Sequence, residues 1–258
     1  MAHPSLGILQ MTQKTKRRAD EYVQEFFQLP SRAKAQALIL SGEVLAGDQV
    51  IAKPGQLLKE GTSLRLRHPL DPYVARSAHK LIAAFEHFPI EVSEKKVLDI
   101  GASTGGFTQV CLERGAAHVI ALDVGHNQLD YKIRIDPRVT VIEKHNARYL
   151  TLEQLPYTPE LIVVDVSFIS LTNILPAMAG LTRGVVEWVT LIKPQFEVGP
   201  SAIEKGGLVK DSTAIENAIQ RVRKCGENLG VSWKGLLKSP ITGQTGNQEY
   251  LAYWIHEV

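Results

Sequence analysis

Residues 97–107 read Val-Leu-Asp-Ile-Gly-Ala-Ser-Thr-Gly-Gly-Phe, an apolar strand that ends on an acidic residue and a glycine-rich turn that opens a helix. Such a turn lets a ligand approach the backbone at the carboxyl edge of a sheet, where open α/β folds bind their cofactors. The chain beyond it keeps the matching rhythm. Strand-like runs at 96–100, 118–124, 139–143, 161–165, 188–192 and 250–255 alternate with helical stretches, notably 73–88, 107–114, 171–181 and 212–229. The runs are apolar enough to be buried on both faces, so the expected fold class is α/β with a doubly wound, parallel, Rossmann-like sheet. Glycine spacing narrows the ligand. A dinucleotide fold asks for G-x-G-x-x-G with a pyrophosphate on the helix N-terminus, whereas the glycines here are Gly101, Gly105 and Gly106. Asp99 is awkward beside a pyrophosphate but suits a ligand with an ammonium group and a sulfonium centre, a description that fits S-adenosylmethionine.

The next strand ends at Asp123, where a carboxylate is placed to take both hydroxyls of a ribose, with Val124 beside it. After the third strand, Asn146 offers an amide to an adenine edge and Ala147 packs against the ring; a turn-forming role for Asn146 reads equally well. Candidate cofactor residues are thus Asp99, Gly101, Ala102, Ser103, Gly105, Gly106, Phe107, Asp123, Val124, Asn146 and Ala147.

A formal charge of +2, from 29 Lys+Arg against 27 Asp+Glu, first argues against a polyanion partner. The average hides a split. Residues 1–80 hold 12 basic and 7 acidic side chains, a net +5, and residues 81–258 hold 17 and 20, a net −3. The front segment also has its own pattern: a helix over 18–28 ended by Pro30, a second over 32–40 capped by Ser31 and closed by Gly42, and short extended pieces at 43–46, 50–51 and 63–67. We therefore expect a flexible extension over 1–15 without a secretory signal, a small α+β module over 16–67, a stiff proline connector over 68–72 and a second domain over 73–258. Arg18, Arg32, Lys34 and Lys53 are the module's candidate RNA phosphate contacts. The two cysteines, Cys111 and Cys225, lack metal-ligand spacing, so no metal is expected and a reducing cytoplasm fits. No apolar run approaches the length of a membrane helix.

Asp165 and Lys193 close the fourth and fifth apolar strands and face the crevice of the glycine loop. A lysine in that place serves as a general base if its burial lowers its pKa, with Asp165 pulling the other way and holding its position. Lys80, on the helix that enters the domain, and Glu249, before the last strand, complete a possible cluster; strand-end ion pairs explain the four equally well. Carbon-5 methylation of a pyrimidine needs a cysteine nucleophile, and both cysteines fall on predicted helices. Methylation of an exocyclic amine usually accompanies two prolines after a strand-end Asp or Asn, and these are absent, although Phe168 is placed to stack on a base. A ribose hydroxyl is the better acceptor, because it must lose a proton during attack.

The segments YVARSAHKL (73–81), DIGASTGGFTQVCLERGA (99–116), ALDVGHNQLDYKIR (121–134), DVSFISL (165–171), LIKPQFE (191–197), GGLVKD (206–211) and SPITGQTGNQEYL (239–251) resemble those of the TlyA family from about Lys16 to the end of the chain. Members of that family are rRNA ribose 2′-O-methyltransferases also labelled hemolysins. The resemblance implies an S-four-like RNA-binding domain joined to an FtsJ-like, S-adenosylmethionine-dependent methyltransferase domain. It further implies a Lys-Asp-Lys-Glu tetrad of Lys80, Asp165, Lys193 and Glu249, with Lys193 as base or activator, and Arg76 as an RNA contact. The implied partner is ribosomal RNA or a ribosomal subunit, with a cytidine as acceptor, no membrane and no obligate protein partner. A membrane-active hemolysin and a non-catalytic rRNA-binding assembly factor are the competing readings.

Overall fold

The structure, a computed structural model, describes residues 15–258, so all but the last residue of the extension expected at 1–15 lies outside the described residues. Two compact units divide the chain, Met1–Asp71 and Pro72–Val258, and the division falls within the proline-rich stretch 68–72.

In the first unit the elements are β1 (Lys16–Arg18), α1 (Ala19–Phe26), α2 (Arg32–Leu40), β2 (Val44–Ala46), β3 (Gln49–Val50), β4 (Leu57–Lys59) and β5 (Leu64–Leu66). Helix α2 begins where expected because the Ser31 hydroxyl accepts from the Lys34 backbone N–H. It ends at a left-handed Gly42, φ 73°, with the Glu43 N–H returning to the Leu38 carbonyl. Both helices pack Ala19, Val23, Ala35 and Ile39 against Val44, Ile51, Leu58 and Leu64. The sheet is split: β1 pairs antiparallel with β4, and β3-β2-β5 form a second ladder. Strands β1 and β4 are not legible in the sequence because each is three residues long and alternates only once.

Asp20 organises this unit. Its side chain is fully buried and its two oxygens accept from Arg18 (3.1 and 3.0 Å), Arg32 Nε (2.9 Å), Gln36 Nε2 (2.9 Å) and the Glu21 N–H. The Arg18 guanidinium, then Gln36 and Arg32, outweigh the cost of burial and hold this carboxyl well below its ordinary range. Arg18 and Arg32, read from the sequence as phosphate contacts, are thus pinned from one side by a carboxylate, and Arg32 also pairs with Glu21 at 3.0 Å. Lys34 and Lys53 are exposed.

The second unit contains α3 (Ala78–His87), β6 (Lys96–Ile100), α4 (Gly106–Glu113), β7 (His118–Leu122), α5 (Tyr131–Arg134), β8 (Val139–Ile142), β9 (Leu161–Val164), α6 (Leu175–Gly180), β10 (Val185–Ile192), α7 (Pro194–Glu197), α8 (Ser212–Asn228), β11 (Ser232–Lys238) and β12 (Tyr250–Glu257). Its seven strands lie in the order β11-β12-β10-β9-β6-β7-β8. Neighbours from β10 through β8 are parallel, whereas β12 runs antiparallel between β10 and β11. The sheet is the mostly parallel, doubly wound one expected from the sequence, with β12 as the antiparallel strand among those read there. Apolar content reveals that a strand is buried but not which way it runs, and β11, half exposed with Lys234 and Gly235 in its middle, escapes notice altogether.

Consecutive residues of the central strands feed opposite cores. Val97, Val119 and Val163 meet α3 and α4, while Leu98, Ile120 and Ile162 meet α6 and α8. The chain leaves β6 toward β7 and β8, then returns to the other side of β6 as β9. The carboxyl ends of β6 and β9 therefore flank a topological switch point, where the crevice of such a sheet opens. Helix α3 starts five residues later than the sequence suggests. The stretch before it is tied to α4 instead, through Val74 N–H on Gln109 Oε1 (2.9 Å) and Gln109 Nε2 on the Pro72 carbonyl (3.3 Å). Among the described residues no helix is long and apolar enough to cross a membrane, and no group of three or more His, Cys, Asp and Glu is placed to hold a metal.

A carboxylate whose pKa falls on folding adds stability that is complete above its unfolded value, near pH 4, and is lost as the pH drops toward the folded one. Asp20→Ala should therefore lower the stability of the first unit by about 1.5–3 kcal/mol at pH 7. The difference should shrink below pH 4. Hydrogen exchange of the α1 and α2 amides reads this directly, and equal protection in both proteins at pH 7 contradicts it.

Candidate active site

A crevice of about 990 Å³ opens at the carboxyl ends of β6, β7, β9 and β10. That is the upper end of the range typical for small-molecule sites. One half is built from the loop after β6. Gly101 adopts φ 85°, and a Cβ there would lie 2.5 Å from the Asp165 carbonyl oxygen, so only glycine lets this loop pass the turn after β9. Gly101, Ala102, Ser103 and Phe107 line the crevice. Gly105 and Gly106 do not. A Cβ on Gly105 would meet Leu129 at 2.8 Å and one on Gly106 would meet the Ser77 hydroxyl at 2.5 Å, so both serve the close packing of the α4 N-terminus.

Asp123 reaches the crevice from the end of β7. Its Oδ2 accepts from the Ser103 N–H (2.8 Å) and its Oδ1 from the Gly125 N–H (2.7 Å), which fixes the carboxylate while leaving each oxygen a further lone pair. Val124, Asn146 and Ala147 lie on the same wall. Asn146 lines the crevice and takes the turn-forming role: its Oδ1 caps a short 3₁₀ turn by accepting from the Arg148 N–H at 3.0 Å.

Asp99 departs from the sequence reading. It is fully buried and does not line the crevice; Thr108 Oγ1 donates to its Oδ2 at 2.6 Å, and Oδ1 has no hydrogen-bond partner among the described residues. Burial raises its pKa to about 7 against the help of Thr108, and the negative charge of Asp165 adds to the rise.

The other half of the crevice brings the four expected charged residues together as two ion pairs. Lys80 Nζ donates to Glu249 Oε2 at 2.5 Å, and both side chains are under 8% exposed. Lys193 Nζ lies 2.6 Å from Asp165 Oδ1. All four line the crevice. Buried charges persist only when paired this closely, and removing one partner of such a pair strands the other. Lys193 has one contact that the sequence did not single out, a hydrogen bond to Ser167 Oγ at 2.8 Å. Glu197, also missed, braces the same place: buried in α7, it accepts from Ser170 Oγ (2.6 Å) and the Leu171 N–H (2.8 Å), tying the segment after Lys193 to the segment after Asp165. Its position inside the LIKPQFE stretch was the available signal.

Phe168 stands at the rim with 91% of its surface exposed and φ 63°, a left-handed conformation that a bulky residue rarely adopts. Its ring lies 5.1 Å from that of Phe196. Strain of this kind costs about 1–3 kcal/mol and concentrates at functional sites. Arg76 lines the crevice as well, but its guanidinium donates to the Thr242 carbonyl at 2.7 Å and so closes the loop before β12 against the segment before α3. That loop is held from behind by Asn247, which is buried, accepts from the Val209 N–H (2.9 Å) and donates to the Gly207 carbonyl (2.7 Å).

The profile of the FtsJ-like methyltransferases matches residues 73–255. The chain is 42% identical over 224 residues to the 16S/23S rRNA (cytidine-2′-O)-methyltransferase TlyA of Mycobacterium tuberculosis, covering 86% of this chain and 84% of that one. It is 43% identical over 245 residues to Hemolysin A of Brachyspira hyodysenteriae, covering 92% and 99%. A solved Streptococcus thermophilus structure, of a protein provisionally named a hemolysin, superposes with a TM-score of 0.74 at 38% identity, covering 95% of this chain and 90% of that one.

The raised pKa of Asp99 has a sign that can be worked out. A carboxyl that is harder to ionise in the folded state costs nothing below pH 4, where it is protonated in both states. Its cost grows from pH 4 to about 7 and is constant above. A rise from the ordinary carboxylate value to about 7 corresponds to roughly 4 kcal/mol. Asp99→Asn should therefore gain stability over the parent protein in denaturant titrations at pH 8, with the gain vanishing near pH 4; a gain independent of pH contradicts the assignment.

Proposed function

The chain belongs to the FtsJ-like methyltransferases, within the TlyA family, and from that premise we propose that it transfers a methyl group from S-adenosylmethionine to a ribose 2′-hydroxyl of ribosomal RNA, at a cytidine, in the cytoplasm. The observation that carries this reading is the two ion pairs, buried Lys80–Glu249 and partly buried Lys193–Asp165, in the wall of the crevice that the glycine loop opens. The residues present fit the cofactor. Gly101, Ala102 and Ser103 offer backbone to it, the fixed Asp123 carboxylate has lone pairs for ribose hydroxyls, and Asn146 and Ala147 in the crevice wall would hold the purine. When bound, S-adenosylmethionine supplies an electrophilic methyl group on a sulfonium centre.

The chain's own task is to position the acceptor hydroxyl and handle its proton. Lys193 is placed for both, at the crevice wall with its nitrogen fixed by Asp165. Lys80 and Glu249 neutralise each other and hold α3 to the start of β12, which keeps the opposite wall in place. Phe168 offers an exposed ring face to the target base. Orientation provides much of the rate gain, since the donor is already reactive. In this reading the first unit is an S-four-like RNA anchor. Lys34 and Lys53 are exposed cations of this unit, and Arg18 and Arg32 contribute the faces that Asp20 leaves open.

Transfer of labelled methyl groups to ribosomal subunits tests the proposal. Label should appear in an alkali-resistant linkage, and Lys193→Ala should lower kcat about 10²–10⁴-fold, as the loss of a proton-handling group does. Phe168→Ala should raise KM for RNA by about 5–150-fold, the equivalent of ~1–3 kcal/mol of stacking, with cofactor affinity unchanged. Label on a base, or an undiminished Lys193→Ala, overturns the reading.

A further inference from the structure

Two residues beyond Asp165, the turn after β9 sends a side chain back toward Lys193. Ser167 Oγ accepts a hydrogen bond from Lys193 Nζ at 2.8 Å, while Asp165 Oδ1 lies 2.6 Å from the same nitrogen. Next in sequence, Phe168 takes the left-handed φ of 63° and turns outward. The contorted turn thus aims Asp165 and Ser167 at the lysine and Phe168 at solvent. Ser167 belongs to the crevice wall, and Lys193 is almost fully buried beside it.

We propose that Ser167 is a positioning residue for the methyl transfer: by occupying one valence of Lys193 Nζ it forces the remaining one toward the acceptor hydroxyl. The inference rests on the proposed 2′-O-methyltransferase function and adds a determinant of its geometry. A lysine nitrogen has three positions beyond its carbon chain. Ser167 takes one by a hydrogen bond, and the ion-pair contact with Asp165 Oδ1, 2.6 Å away, occupies a second side of the nitrogen. The third, an N–H in the ammonium and the lone pair in the amine, is left for the crevice, where Phe196, with its ring centre 6.0 Å from the nitrogen, offers no oxygen to capture it. A lysine held by Asp165 alone rotates about its last bond, and its reactive valence points at the hydroxyl only part of the time.

The residue type matters. A hydroxyl oxygen accepts without adding charge, so the Asp165–Lys193 pair stays balanced, whereas a second carboxylate would give the nitrogen an excess of anionic partners. An alanine at 167 leaves the pair intact and removes only the directing contact. Because Ser167 acts through the nitrogen and not through the cofactor or the bound base, its loss has to show in turnover and not in binding.

In the reaction the hydroxyl oxygen forms a bond to the methyl carbon as the carbon–sulfur bond breaks, and the electron pair of that bond goes to sulfur. S-adenosylhomocysteine leaves, and the hydroxyl proton passes to the Lys193 amine or, if that nitrogen is already protonated, to solvent. Ser167 gains and loses no proton in either route.

The experiment uses the full chain with ribosomal subunits and labelled S-adenosylmethionine. Ser167→Ala, Ser167→Thr and the parent protein are compared for kcat, for KM toward the subunits, and for cofactor affinity by calorimetry. We expect Ser167→Ala to lose about 10–100-fold in kcat, with KM and cofactor affinity within twofold of the parent, and Ser167→Thr, which restores the hydroxyl, to recover most of the rate. Equal kcat for Ser167→Ala and parent overturns the inference. So does a loss of KM and cofactor affinity in step with kcat, since that marks a merely structural role, or a Ser167→Thr as slow as the alanine variant while its cofactor affinity is intact. A parent protein that binds cofactor but places no methyl group on a ribose overturns the proposed function and this inference with it, which separates that failure from the others.

Discussion

The loop after β6 passes so close to the turn after β9 that any side chain at residue 101 would collide with the Asp165 backbone. The two loops leave adjacent parallel strands at the switch point of the sheet, so their contact is a direct consequence of strand order. One of them forms the glycine-loop half of the crevice. The other carries Asp165, Ser167 and Phe168. Their mutual approach sets the glycine-loop wall and a charged, aromatic wall in one crevice, and a doubly wound sheet supplies such a place without further elements.

Around that contact the fold locks its charged groups pairwise. Lys193 is held by Asp165 and Ser167, and the short helix that follows it is held by Glu197 through Ser170 and Leu171. Lys80 and Glu249 join the first helix of the unit to its last strand. Glu249 in turn fills the space beside Gly243, where a Cβ would come within 2.5 Å of its carboxylate. Each pair links elements far apart in sequence, so the groups assemble only when the whole sheet is formed. Precision of this kind is what a methyl transfer needs, because its donor is reactive and its rate is set by alignment.

Much of this was legible before any coordinates. Strand-end residues such as Asp123, Asp165 and Lys193 stand out because a charge that closes an apolar run must lie at a sheet edge, and strand β6 matches its expected bounds residue for residue. Other features were not legible, for physical reasons. Asp99 shares the strand-end signal but is turned inward toward Thr108, and the sequence does not record which way a side chain faces. Ser167 is an unremarked hydroxyl until Lys193, 26 residues later, folds against it. The direction of β12 depends on how the chain reaches the sheet, which no local pattern encodes. Arg18 and Arg32 read as free cations because the sequence does not record that Asp20 is turned inward, where both guanidinium groups converge on it.

The net charge of +2 illustrates the same lesson at larger scale. It is the sum of a basic module and a slightly acidic domain whose lysines matter by position. The most direct test of the whole account is a mass-spectrometric map of modified nucleosides in ribosomal RNA from cells with and without this protein. The account predicts that a 2′-O-methylcytidine present in the first sample is absent from the second and returns with the parent protein but not with Lys193→Ala. Identical ribose methylation in both samples, or a difference confined to base methylation, contradicts it.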